Sequence, residues 1–155
     1  MEYPNEFLYL GNAYKLYLTD KQRPALCFDN RFLLDRNYRS NQKNEFLRWY
    51  KEQARLKIGE RAELYSVIAG LKYKKINISN ARTRWGSCSA KGRLNFSWRL
   101  IMAPIKVIDY VVVHELTHLT IMNHSKKFWQ EVAIILPDYK SYRKWLRKNG
   151  HLLAV

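Results

Sequence analysis

The chain has 155 residues, 47% hydrophobic and 26% charged, and its 28 Lys and Arg outnumber 13 Asp and Glu to give a formal charge of +15. That length suits one domain burying one core without staples, and the charge favours polyanions or acidic substrates as partners. Two cysteines, Cys27 and Cys88, exclude a disulfide framework and form no CxxC half-site, no apolar run reaches the ~18 residues of a membrane helix, and no leader layout opens the chain, so a soluble, cytoplasmic protein is expected.

Phe7–Leu10 and Tyr14–Leu18 read as a hairpin turning at Gly11-Asn12, and Ala25–Phe28 with Arg31–Leu34 as a second hairpin around Asp29-Asn30. Residues 1–40 thus form a short strand-rich part, and residues 41–155 a core, within a single domain spanning 1–155. From about Lys43 to Ala69, apolar residues recur at helical spacing and stop at Gly70, with Gly59 a possible break. Strands follow at Lys75–Ser79 and at Ala81–Cys88, the latter turning through Ser89–Gly92 into Leu94–Leu100. In that last strand Leu94, Phe96, Trp98 and Leu100 alternate with polar residues. Pro104 opens a helix that is apolar nearly all round from Ile105 to Val113, the mark of a buried central element. Ser125 caps a helix to about Leu136, and Tyr139–Lys148 forms a last one before Gly150. The expected fold is α+β: a small, antiparallel-rich sheet packed on a central helix, with further helices around it.

That central helix ends in His114-Glu115-Leu116-Thr117-His118, an HExxH sequence. Residues i and i+4 stand above one another on a helix, so both imidazoles can reach one ion, while Glu115 is rotated by about 100° and suits a general base better than a ligand. Charged and polar groups at the end of so apolar a helix need a partner, and a metal is a natural one. A catalytic zinc takes three protein ligands and leaves one position open. His124 completes HExxHxxxxxH with the second-to-third spacing of the metzincin pattern, although Ile121 stands where that pattern has Gly. Glu131 is the competing third ligand. The expectation is one Zn2+ per chain on His114, His118 and His124, with Glu115 taking a proton from water that the ion acidifies. An electrophile for the developing oxyanion would come from Tyr110, His151 or an arginine of the Arg82–Leu100 hairpin, although Tyr110 also reads as core. Arg84-Trp85-Gly86-Ser87 is the candidate sheet edge for an extended substrate, with Trp85 walling a pocket. The competing reading makes Trp85 and Trp98 core aromatics and Gly86 a bulge.

Taken together, Arg82–Ser89, Asn95–Leu100, Val107–Leu119 and Asn123–Trp129 resemble the YgjP-like metal-dependent hydrolases, zinc metallopeptidases related to the SprT-like and WLM groups. The resemblance runs from about Tyr50 to Gly150. It implies a zincin-like fold, a peptide or protein substrate, a metal on His114, His118 and His124, and Glu115 as base. It also implies a longer strand-rich N-terminal region than the one present here. An alternative function rests on charge: clusters at Lys72–Lys75, Arg82 with Arg84, Lys126-Lys127 and Arg143–Lys148 could hold nucleic acid, either for a DNA-recruited protease or for a non-catalytic binding module. No nucleic-acid-binding motif accompanies them.

Overall fold

The computed structural model describes residues 3–155. Strands β1 (Glu6–Tyr9) and β2 (Asn12–Thr19) pair antiparallel with Tyr9 opposite Asn12, so the turn is Leu10-Gly11, one residue earlier than the sequence suggests. Both turn residues have positive φ, 49° and 87°, as a two-residue hairpin with the right twist demands. Tertiary contact selects this register. The N–H groups of Leu10 and Gly11 donate to the carbonyls of Ile101 and Met102, each at 2.9 Å, and a Cβ on Gly11 would stand 2.9 Å from Pro104 Cγ.

Strands β3 (Leu26–Phe28) and β4 (Phe32–Asp35) form the second hairpin. It joins the first through a parallel pairing of β2 with β4, in the order β1-β2-β4-β3. Burial explains the join: Phe7, Leu16, Phe32 and Leu34 all leave solvent on one side of this sheet, where Phe7 stacks on Phe46 at 3.7 Å between ring centres. Phe46 lies on α1 (Gln42–Ala69), which runs unbroken through Gly59 and ends at Gly70 with φ 65°. Its fully buried stripe of Phe46, Tyr50, Ala54, Ile58 and Ala62 recurs every four residues, which keeps one helical face against the core throughout.

A second sheet has the order β5-β7-β6, from β5 (Lys75–Ser79), β7 (Arg93–Ser97) and the edge strand β6 (Gly86–Cys88). The pairing of β5 with β7 is parallel and that of β6 with β7 antiparallel. Both strands of the expected 81–100 hairpin are shorter than the sequence suggests. Residues before Gly86 are held by side chains instead: Ser97 Oγ donates to Ala81 O at 2.8 Å and Trp98 Nε1 to Asn80 Oδ1 at 3.1 Å. After Ser97 the chain coils into a short 3-10 turn, Trp98–Met102. Trp98, Leu100, Ile101, Met102 and Ala103 are all buried, and an extended strand cannot send consecutive residues to one side.

Helix α2 (Ile105–Thr117) follows, with Pro104 at its N-cap. Its fully buried Asp109 receives both Nε and Nη2 of Arg61 on α1, at 2.7 and 2.8 Å, and the Tyr65 hydroxyl at 2.9 Å. All three bonds compensate the buried charge. Ser125 Oγ accepts from Phe128 N to cap α3 (Lys126–Ile135), and α4 (Tyr139–Asn149) packs back on α2. The molecule is therefore a small α+β fold of two sheets and four helices. No helix of the described residues is long and apolar enough to cross a membrane.

Candidate active site

His114 occupies the last turn of α2 and His118 its C-cap. The chain then turns tightly, with Leu119 N bonded to Leu116 O and Ile121 N to Thr117 O, each at 3.0 Å. This turn returns His124 to the helix end without the glycine that the metzincin spacing would suggest. Candidate metal-binding atoms of His114, His118 and His124 all lie within 4.8 Å of one another. His124 Nε2 is 3.1 Å from His118 Nε2 and also 3.1 Å from His114 Nε2.

Three imidazoles so placed could hold a cation. His118 Nδ1 faces the carbonyl of Ile121 at 2.9 Å and must donate to it, which leaves Nε2 of the neutral ring as a bare lone pair. A neutral His124 carries at most one proton on Nε2, so it cannot donate to both neighbours. At least one of the two 3.1 Å contacts is then not a hydrogen bond between neutral rings. Nitrogens on a tetrahedral zinc at about 2.05 Å stand about 3.3 Å apart, close to the two separations that His124 makes. Burial, then His118, His124 and Arg143, drives the His114 pKa down to about 3. The same kinds of cause lower that of His124, and neutral rings are the form that ligates.

Glu115 lies against the edge strand and lines one cavity with His114. It is 5% exposed, and burial pushes its carboxyl up to about 7 against the pull of Arg84. A dication beside it would favour the ionised form. Gly86, on that edge strand, is packed closely by its neighbours. A Cβ there would stand 2.9 Å from Glu115 Cγ, 3.0 Å from Glu115 Oε2 and 3.1 Å from Asn95 O. Gly86 therefore makes room for the carboxylate itself. Gly86→Ala is expected to displace Glu115 and cut kcat/KM for peptide hydrolysis by about 10²-fold with metal content unchanged. An active Ala variant would show that Glu115 has slack.

A cavity of about 400 Å³ opens from His114 and Glu115 past Trp85, Tyr110 and Leu146. Trp85 thus walls a pocket, half-buried, while Trp98 is core, stacked on Tyr50 at 5.7 Å. Tyr110 is buried and also lines the cavity, its ring edge-on to His114 at 5.9 Å. Burial raises its hydroxyl pKa to about 12. Glu131 and His151 are exposed and lie outside the histidine cluster.

The sequence profile of the family described as "YgjP-like, metallopeptidase domain" matches residues 1–149. The chain belongs to the YgjP-like metallopeptidases. The match takes in the N-terminal strands, which the sequence resemblance had left out. No curated protein matches. Among solved structures, the metallopeptidase zymogen of Pyrococcus abyssi abylysin is 22% identical with a TM-score of 0.53, covering 59% of this chain and 93% of its own. The metallopeptidase zymogen of Methanocaldococcus jannaschii jannalysin is 18% identical with a TM-score of 0.53, covering 59% and 94%. These likenesses show a zincin-like fold. Membership implies a metal and a peptide or protein substrate.

The YgjP-like site also contains residues that motif reading passed over. Phe128 stacks on His118 at 4.5 Å between ring centres. Arg143 lines the space beside Tyr110, His114, His124 and Trp129, with its guanidinium 4.7 Å from the Trp129 ring centre. In sequence Arg143 counts only as part of a basic cluster. The available signal was its spacing from Arg147, which places both on one face of α4.

Proposed function

We propose that the chain is a zinc-dependent peptidase in which His114, His118 and His124 hold one Zn2+ and Glu115 is the general base. The double approach of His124 Nε2 to its two neighbours, 3.1 Å each, carries this reading. When bound, the ion supplies Lewis acidity, polarising a scissile carbonyl and acidifying water. Glu115 takes the proton of the attacking water and passes it to the leaving amine. Its low exposure keeps bulk water from competing for that proton. Ile121 O fixes the His118 tautomer. Arg143 disfavours protonation of the neighbouring imidazoles. Tyr110, protonated across the neutral range, donates to the oxygen that gains charge. We further read residues 1–155 as one domain, because one hydrophobic cluster runs from Phe7 to Leu153.

Elemental analysis of purified, tag-free protein tests the assignment. It should find about one zinc per chain, and a chelator should stop peptide hydrolysis until zinc is restored. A protein that takes up no metal when offered zinc would end the peptidase reading. Tyr110→Phe should lower kcat by about 10²-fold with KM within about twofold of wild type. Unchanged kcat would remove Tyr110 from the reaction.

A further inference from the structure

The cavity beside Glu115 has an electrostatic character that peptide-bond hydrolysis alone does not require. Three arginines line it from two walls: Arg84, just ahead of β6, and Arg143 with Arg147 on α4. Arg143 and Arg147 are four residues apart, so one turn of helix presents both to the same space. Like charges at that spacing repel. Among the described residues none of the three takes part in an ion pair, whereas Arg61 on the far side of α2 is satisfied by Asp109. The one acid in the lining is Glu115, packed against Gly86 and committed to the proton transfer.

We propose that Arg84, Arg143 and Arg147 form a carboxylate-binding subsite that selects peptides with an acidic group close to the scissile bond. This rests on the peptidase reading above. Planar guanidinium forks match a carboxylate in two-point hydrogen bonding. Trp85, Tyr110, Val111 and Leu146 supply apolar walls beside the three exposed arginines. The cavity, about 400 Å³, includes His114 and Glu115 in its lining, so its occupant belongs to the molecule being cut. An Asp or Glu side chain and a free C-terminal carboxylate present the same chemistry. A nucleic acid strand would instead need a continuous basic groove with spaced stacking platforms.

Binding without turnover tests this. Labelled peptides would be titrated into zinc-loaded Glu115→Gln protein by fluorescence anisotropy. The set is a neutral peptide with an amidated C-terminus, the same peptide with a central Glu, and the neutral peptide with a free C-terminus. At least one carboxylate form should bind about tenfold more tightly than the neutral amide, and which one does names the source. Adding Arg147→Gln or Arg84→Gln should bring the ratio to within about twofold of unity, while Lys51→Gln, with the same change of charge on the exposed face of α1, should leave it intact. Equal loss in the Lys51 variant would mean general attraction to a basic protein and overturn the subsite. So would a single-stranded oligonucleotide that displaces the acidic peptide at lower concentration in an Arg147-dependent way. Wild-type protein that cleaves the three peptides equally well, with equal affinities, would overturn the subsite and leave the peptidase standing. An acidic preference in binding with no peptide cleaved would sink the peptidase and leave a carboxylate site.

Discussion

Glu115→Gln is expected to bind zinc as wild type does and to hydrolyse peptides about 10²–10⁴-fold more slowly. Gln keeps the shape that fits against Gly86, where Glu115 Cγ and Oε2 would stand 2.9 and 3.0 Å from an added Cβ, so the packing survives. It cannot hold a proton at Oε2. Because burial raises the Glu115 carboxyl to about 7, the neutral amide relieves a desolvated charge and should not lower the stability of the metal-free protein. The variant thus separates chemistry from folding. A Gln protein hydrolysing at the wild-type rate would remove Glu115 from the reaction.

His118→Ala and His124→Ala should each lose zinc by more than about 100-fold in affinity, a larger effect than the loss of an outer-sphere partner. Zinc retained after exhaustive dialysis is the measurement. The two substitutions differ in their side effects. His118 is 8% exposed and stacked on Phe128, so its truncation also opens a hole at the end of α2, and a lowered melting temperature should accompany the metal loss. His124 is exposed on the turn before α3, and its truncation should cost metal with little change in the stability of the metal-free chain. Full zinc content in His124→Ala would return Glu131 to consideration as the third ligand.

Helices and the clustering of three histidines were the legible part of this chain. Period, capping residue and stop signal fix α1 at Gly70 and α3 at Ser125, and the five-residue HExxH spacing is itself a statement about one helical face. Strands were less legible because their ends are decided by partners distant in sequence. Phe32 and Leu34 show a buried β4 but not that it lies parallel to β2, and the alternation up to Leu100 hides the coil at Trp98. The apolar run from Leu100 to Ala103 was the available warning, since four such residues in succession do not suit a two-sided strand. Gly86 carried a signal without a direction. The sequence leaves a substrate edge and a bulge both open there, and only the fold shows Glu115 packed against it. Arg143 and Arg147 offered only their shared helix face, because on a chain of +15 no arginine stands out until its neighbours are known.

The turn at Leu10-Gly11 has a bearing on the order in which the molecule is made. Its two N–H groups hold the carbonyls of Ile101 and Met102, and Gly11 abuts Pro104, the residue that launches α2. A ribosome delivers the first hairpin long before the helix that it will seat. That hairpin can therefore reach its final seat only after the segment it docks has been synthesised. A substitution at Leu10 or Gly11 would then show itself as a low yield of correctly assembled protein rather than as a weakened enzyme.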